Sequence, residues 1–584
     1  MVVAKAKNAA SANYEQILPK EVVEVFHKNF TKFSNVQIRA GSELLSYNDV
    51  VVESPTGSGK TLAFLIPTFT ILKKKGQFGK NEIGALILSP SRELCNQIAT
   101  VATPYVEALG YTISMAVGGP KVDHNLKKLK NSTCDILVAT PGRLYQILQL
   151  DKSDDIRKRL KSVEILVVDE ADRFNESQFE VHIKEILAAV PKQKRTGLFS
   201  ATQAKENSDL SIFALRNAKH IKLKEAENVI CPLALNNFYT VCEAAEKVMC
   251  TVEFIRSKPD KKILVFFPSC GGVRYFKTIF EQVLTKRQLL SVHGKNTQKQ
   301  RTDQIGKFRE STNAVMLSTD VMSRGIDIED IDWVVQFEIP KLSSWFVHRA
   351  GRTGRNGREG NSLLILTPQQ TAYSGFVTKH EKVEFKELKV PTSNADKAEQ
   401  LRQKIIKIAC SDRAALEQGT RAFVSHIESY VKHDCNVVCG LKDLDVPGIA
   451  MAYGLLRLPK MRELGQRTDL DKFKRSDIDT STIAYANPAM EKNRSKMMEE
   501  KHQKKVDVKK QKLAEKREKE REKAKRNKNK PDSKEVDPKK AKSLKRKADK
   551  EEREEHNEFE ADVRLLKKMK KGRLSAKEMK DIKF

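Results

Sequence analysis

Residues 54–61 read SPTGSGKT. VVVE at 50–53 is a short β-branched run, and from Thr61 the chain continues TLAFLIPTFTILKK, with apolar residues at helical spacing. The stretch therefore lies between a buried strand and a helix N-terminus, where anions bind. Gly57 and Gly59 let backbone N–H groups turn inward around a phosphate, Lys60 reaches the outer phosphates, and Thr61 offers a hydroxyl to magnesium. Ser54 stands where the usual eight-residue pattern begins with glycine, so a polar Gly/Ser turn is the competing reading of this stretch taken alone.

Outward from the loop, residues 50–222 alternate short apolar runs (VVVE, ALILSP, TISMAV, ILVAT, EILVVDE, TGLFSAT) with helical patterns. That alternation predicts a parallel sheet covered by helices on both faces. After a less regular stretch at 223–235 it begins again with KILVFFPS, LLSVHG, AVMLSTD, WVVQFEIP and NSLLILT. The expected fold class is α/β: two parallel-sheet domains in series with a cleft between them, at 1–225 and 226–395. Residues 396–485 turn helical (AEQLRQKIIKIA, AALEQGTRAFVSHIESYVKH, GIAMAYGLLRL) and form a small appendix. From 486 to 584 the chain is Lys, Glu, Arg and Gln with few apolar anchors, a basic tail expected to be disordered or to form single exposed helices when bound.

Two more stretches bear on the loop. EILVVDEADRF, 164–174, is a buried strand that ends in acids. At a strand tip beside a phosphate loop, Asp169 can hold magnesium through water and Glu170 can orient or deprotonate an attacking water. A solvated acidic turn explains DEAD by itself, but not the strand before it or the loop upstream. HRAGRTGR, 348–355, spaces Arg349, Arg352 and Arg355 by three, so a helix or its first turns carries all three near one face. Guanidinium forks suit a transferring phosphoryl group, and RNA phosphate is the alternative ligand. Lys60 and Asp169 belong to the first domain and the arginines to the second, so hydrolysis requires the domains to close.

The chain has 584 residues and a formal net charge of +31. Residues 491–584 hold 36 Lys and Arg against 21 Asp and Glu, about half of that excess in a sixth of the chain. Such a balance implies a polyanionic partner, nucleic acid before membrane, because no Trp/Phe-faced amphipathic helix accompanies it; a solvated tail that aids solubility is the bland alternative. Nine cysteines are scattered without a CxxC pair, and CNVVC at 435–439 lacks a second pair, so reduced thiols of an intracellular protein are expected rather than a zinc site. MVVAKAKNAASANYEQ has no apolar core and no run of 18 apolar residues occurs, so neither a signal peptide nor a membrane span is predicted.

Taken together these residues resemble the DEAD-box RNA helicases over roughly 14–375, in the family's order and spacing. Gln37 in NFTKFSNVQ matches the adenine-reading glutamine, and SPTGSGKT the phosphate loop, where the family commonly has alanine or serine first. PSREL (90–94), Gly118-Gly119 and TPGRL (140–144) match first-domain RNA motifs; DEAD (169–172) and SAT (200–202) match the magnesium and coupling motifs. VFFPS (265–269), HGKNTQKQR (293–301) and STDVMSRGIDI (318–328) match second-domain motifs ahead of HRAGRTGR.

The resemblance implies two RecA-like domains, ATP and Mg2+ as cofactors, and RNA as the partner. By position, nucleotide would be held by Gln37, Ser54, Pro55, Thr56, Gly57, Ser58, Gly59, Lys60, Thr61 and Asp327. Metal would be held by Thr61 and Asp169, and catalysis would rest on Lys60, Asp169, Glu170, Arg352 and Arg355. RNA would be held by Arg92, Gly119, Thr140, Arg143, Gln298 and Thr319, with Ser200 and Thr202 coupling nucleotide state to closure. Asn29 and Phe33 replace the family's usual Gly and Pro, and Tyr14 is about two residues nearer than the family's upstream aromatic. AFVSHIESYVKHDCNVVCGLKDLDVPGIAMAYGLLRLPKMREL, 422–464, looks like the C-terminal extension of nucleolar members that act in large-subunit (60S) assembly, and it could pack on the second domain or touch RNA. The implied setting is nucleolar, the substrate pre-rRNA, ribosome-assembly proteins further partners, and the chain a monomer; an ATP-gated RNA clamp uses the same motifs.

Overall fold

The computed structural model describes residues 13–54, 58–119, 121–175, 177–192, 194–200, 211–213, 215–222, 235–323, 328, 330–354, 358–390, 394–431, 433, 435, 439–465 and 467–528. Pro55, Thr56, Gly57, Thr202, Asp327 and Arg355 lie outside them.

The first sheet is built from β1 (Val50–Glu53), β2 (Ala85–Leu88), β3 (Ile113–Ala116), β4 (Ile136–Ala139), β5 (Ile165–Asp169), β6 (Arg195–Ser200) and β7 (Lys219–Lys222). They run parallel in the order β3-β4-β2-β5-β6-β1-β7. Successive side chains of a strand point to opposite faces, and the core divides accordingly. Val50, Val52, Ala85, Ile87, Ile136, Val138, Ile165 and Val167 pack with the helices Asn35–Leu45, Lys60–Lys75 and Arg92–Leu109. Val51, Leu86, Leu88, Leu137, Leu166, Val168 and Leu198 pack with Pro141–Leu150 and Ser177–Ala189. Both faces are buried, which is why the strands read as continuous apolar runs rather than alternating ones.

The second sheet repeats the plan with β8 (Leu235–Val241), β9 (Ile263–Phe266), β10 (Leu289–Val292), β11 (Val315–Ser318), β12 (Trp333–Gln336), β13 (Gly360–Leu366) and β14 (Lys386–Glu387). Its order is β10-β11-β9-β12-β13-β8-β14, again parallel. The α/β class with two sheets in series is as expected.

Residues Gln418–Tyr453 group with both sheets in one compact unit. The helix Arg413–Val431 brings His426 and Tyr430 to a buried polar cluster on the second sheet. Glu338 at the end of β12 receives Lys247 Nζ at 2.8 Å, His426 Nε2 at 3.1 Å and Gln370 Nε2 at 2.9 Å. Tyr453 closes it, its hydroxyl 2.8 Å from His426 Nδ1 and its carbonyl accepting from Tyr275 Oη at 2.5 Å. Of the two uses open to the extension, packing on the second sheet is therefore realised.

A second unit holds Gln403–Glu417, Gly454–Leu458 and the chain from Arg475. Its small core is Ile406, Leu456 and Ile483, and Arg413 Nη1 donates to the Thr480 carbonyl at 3.0 Å. The extension is helical through Ala395–Ser411, Arg413–Val431 and Val446–Ala452; beyond Ala452, among the described residues, the 3-10 turns Arg462–Leu464 and Leu470–Lys472 interrupt irregular chain up to the next helix, because Pro459 and short charged runs offer no apolar stripe. The described part of the tail is one helix, Pro488–Lys528, which at 1.5 Å per residue is about 60 Å long. No described helix is long and apolar enough to cross a membrane.

Candidate active site

In the first sheet β5, β6 and β1 are neighbours, so their C-terminal ends bring Asp169, Ser200 and Ser54 side by side, and Ser54 N donates to Ser200 O at 3.1 Å. Ligands gather at that end of a parallel sheet. Gly59 caps the helix Lys60–Lys75 at φ 92°, a left-handed conformation suited to glycine, and a Cβ there would stand 2.7 Å from Gln37 Nε2. Gln37 donates to Gly59 O at 3.3 Å and accepts from Ser34 N at 2.8 Å, while Ser34 Oγ donates to Ser58 O at 3.1 Å. The glutamine thus ties its own helix to the loop. Ser54 Oγ donates to Ser58 Oγ at 2.6 Å and Lys60 Nζ to Ser54 O at 2.5 Å. Tyr14 is buried against Phe33, ring centroids 5.4 Å apart and edge-on, so it belongs to the core.

Asp169 and Glu170 are buried beside Lys60, and Glu170 holds φ 51°. Burial first, then the Glu170 carboxylate, pushes the Asp169 carboxyl up to about 7, with Lys60 pulling the other way. Burial lowers the Lys60 pKa against the raising effect of Glu170 and Asp169, and Arg352 adds to the lowering. An acid raised by burial and by a neighbouring carboxylate gains from a divalent cation, and a buried lysine gains from a polyphosphate. Oxygen and nitrogen donors of Glu170, Asp172 and His348 also lie within 4.8 Å of one another.

Several contacts cross from one sheet to the other. Asp172 accepts from Ser200 Oγ at 2.9 Å and lies 3.3 Å from His348 Nε2. Glu93 and Arg301 form a buried ion pair at 2.6 Å. Arg352 is buried, its Nε donating to His348 O at 3.2 Å, and its charge reaches Lys60. The arginine expectation needs correcting in part. The helix Ser343–Ala350 stops before Arg352, so no helical face carries all three. Arg349 is instead spent on its own domain, forked onto Asp320 at 2.6 and 3.0 Å and onto Glu338 O at 3.0 Å.

Among the RNA candidates, the Arg92 side chain crosses Gly118 and Gly119, where a Cβ would meet it at 3.6 and 3.3 Å, and Gly119 holds φ 121°. Arg143 donates to Asn125 Oδ1, and burial, then Arg92, lowers its pKa, so the two guanidiniums are near neighbours. Thr140 caps the helix Pro141–Leu150. On the second sheet Gln298 opens the helix Gln298–Glu310 and Thr319 follows β11. Sequence reasoning assigned no role to Asp172, His348, Glu93 or Arg301, although all four sit inside the quoted motifs. Charge within a motif was the available signal, but pairing partners 176 and 208 residues apart have no local signature.

A pair of RecA-like sheets with a phosphate loop and acids on one and a buried arginine from the other defines a two-domain, nucleotide-driven enzyme. The family model for DEAD/DEAH box helicases matches residues 34–210, that for the helicase conserved C-terminal domain 246–357, and that for the "ATP-dependent rRNA helicase SPB4-like, C-terminal extension" 412–461. A Caenorhabditis briggsae protein called "probable ATP-dependent RNA helicase DDX55 homolog" is 55% identical over 100% of both chains. The Danio rerio "ATP-dependent RNA helicase DDX55" is 39% identical over 94% of this chain and 91% of its own. Mss116, a DEAD-box helicase solved with ssRNA and UDP-BeF, shares the fold with a TM-score of 0.69 at 24% identity, over 80% of this chain and 96% of its own. The chain belongs to the DEAD-box family of ATP-dependent RNA helicases.

Proposed function

We propose that this helicase remodels short duplexes of pre-rRNA during assembly of the large ribosomal subunit, in the nucleolus, as a monomer among assembly proteins. The observation that carries the catalytic reading is Asp169, Glu170 and Lys60 buried together within electrostatic reach of Arg352 from the other sheet. The setting is supported by the SPB4-like match at 412–461 and the names of the DDX55 relatives.

In this reading residues 1–225 bind ATP, 226–395 complete the site, 396–485 dock on the second domain, and 486–584 form a basic tail. Lys60 and the loop residues Ser54–Thr61 cradle the phosphates, with Gln37 at the adenine and Asp327 at the ribose. The Thr61 hydroxyl and, through water, Asp169 would hold Mg2+, which would neutralise charge on the phosphates. Glu170 orients the attacking water and accepts its proton. Arg352 and Arg355 meet charge that develops on the γ-phosphoryl group, which ties hydrolysis to closure. Ser200 and Thr202 pass that state on, Ser200 through Asp172 to His348. Arg92, Gly119, Thr140, Arg143, Gln298 and Thr319 hold RNA backbone, which gives RNA preference without base readout.

The test is phosphate release with and without structured RNA, followed by short-duplex displacement. RNA should stimulate wild-type hydrolysis, and Glu170→Gln should lower kcat by at least about 100-fold with the KM for ATP little changed. Absence of RNA stimulation defeats the reading; ATP-dependent RNA retention without displacement favours a clamp.

A further inference from the structure

At the opposite end of the first sheet from the nucleotide loop, Tyr47 stands 78% exposed, the most exposed large aromatic side chain among the described residues. It follows the helix Asn35–Leu45 at a position where chains commonly turn left-handed, and holds φ 66°. Glycine or asparagine takes that conformation with little strain, and Asn48 is the next residue, so a bulky ring here is costly to the fold. The ring buries little in return. One face lies over the Arg195 guanidinium, 3.7 Å from centroid to Cζ, and Arg195 is itself buried beneath it; the exposure leaves the other face open.

Cations crowd the same edge. Arg195 and Lys219 begin β6 and β7, Lys194 precedes Arg195, Arg216 donates to the Lys194 carbonyl at 3.0 Å, and Lys75 lies near enough to feel Tyr47. The acids are already engaged: Asp49 accepts from Thr196 N and Arg216 N, both at 2.7 Å, and Glu164 pairs with Lys75 at 3.0 Å. Burial lowers the Lys194 pKa, the Asp49 carboxylate opposes that and Arg216 adds to it, so one acid sits among several cations here. Lysines on an edge strand protect it from pairing with another sheet, which accounts for Lys219 but not for an open, strained aromatic backed by arginine.

We propose that Tyr47, backed by Arg195, and the surrounding Lys194, Arg216 and Lys219 form an accessory site for single-stranded RNA, a base stacking on the open ring face and its phosphates lying along Lys194, Arg216 and Lys219. An acidic peptide would use the charges but leaves the exposed ring and its strain unexplained. β1 is 4 residues long, so the site stands roughly 15 Å or more from the loop beyond the strand's other end and engages only RNA that extends outside the cleft. The inference rests on the helicase acting on RNA.

The test compares full-length wild type with Tyr47→Gly, Tyr47→Phe and Lys194→Glu/Lys219→Glu. Binding is read by fluorescence anisotropy with AMP-PNP present, on an RNA of about 10 nucleotides that fills only the cleft and one of about 40 with single-stranded flanks. Tyr47→Gly relieves the backbone strain, so its thermal midpoint should equal or exceed wild type, yet it should bind the long RNA about five- to tenfold more weakly. The charge pair should act likewise, Tyr47→Phe should bind normally, and affinity for the short RNA and its stimulated ATPase should be unchanged throughout. Wild-type affinity of Tyr47→Gly for the long RNA, or an equal loss on the short one, overturns the site. Failure of wild type to respond to the short RNA instead defeats the helicase reading.

Discussion

His293 illustrates how one residue's surroundings set a pH response. Arg274 Nε donates to its Nε2 at 3.3 Å, so that nitrogen must be unprotonated, and burial, then Arg274 and Arg301, hold its pKa down to about 4. In the unfolded chain a histidine takes up its proton near 6.5. Between those values the unfolded state binds more protons, so this contribution is whole above about pH 6.5 and declines as pH falls toward 4. His293→Gln keeps an acceptor for Arg274 and removes the titration; chemical denaturation at pH 7.5 and 5 should show a smaller acid loss for the variant than for wild type. Gly59 makes a complementary point, since its left-handed turn and its closeness to Gln37 both exclude a side chain, and the sequence already marked it.

Among elements, the extension helix Arg413–Val431 owes its seat to charge as much as to apolar packing. Glu338 is fully buried, and although burial raises its pKa, Lys247 and His426 hold it well below the ordinary carboxylate range. Removing one partner of such a pair strands the other. Lys247→Met should therefore destabilise the fold by about 3–5 kcal/mol, and Lys247→Met/Glu338→Gln should recover part of that, read by denaturation and by protease release of the extension. The apolar periodicity of 396–431 made the helices legible. Their docking partner was not, because Lys247, Glu338, Gln370 and His426 meet from four separate elements. The helix Pro488–Lys528 likewise has a composition that reads as solvated tail, and Met490, Met497 and Val508 on it remain exposed.

Over the whole molecule, the site depends on the two sheets meeting. Glu93–Arg301 and Asp172–His348 are described polar links that span them at the motifs, and the former is buried. If that pair favours closure, Glu93→Gln and Arg301→Gln should each reduce the closed population, read by inter-domain fluorescence transfer with AMP-PNP and RNA, by about tenfold in the closure constant. The double variant should be little worse than either single one. Additive losses would mean the residues act independently.

The sequence by itself determined the two parallel-sheet architecture, because strands buried on both faces must be uninterrupted apolar runs, and it marked a candidate phosphate loop, because a strand, two glycines, a lysine and a helix are contiguous. Lys60, Asp169 and Arg352 could be singled out as candidates because each sits within its own contiguous motif. Only the tertiary structure decided that β5, β6 and β1 lie together, that Arg349 serves Asp320 while the charge of Arg352 acts on Lys60, and that Asp172 meets His348. Strand order and long-range pairing follow from how helices pack across a sheet and which buried charges find partners, and neither leaves a local pattern in the chain.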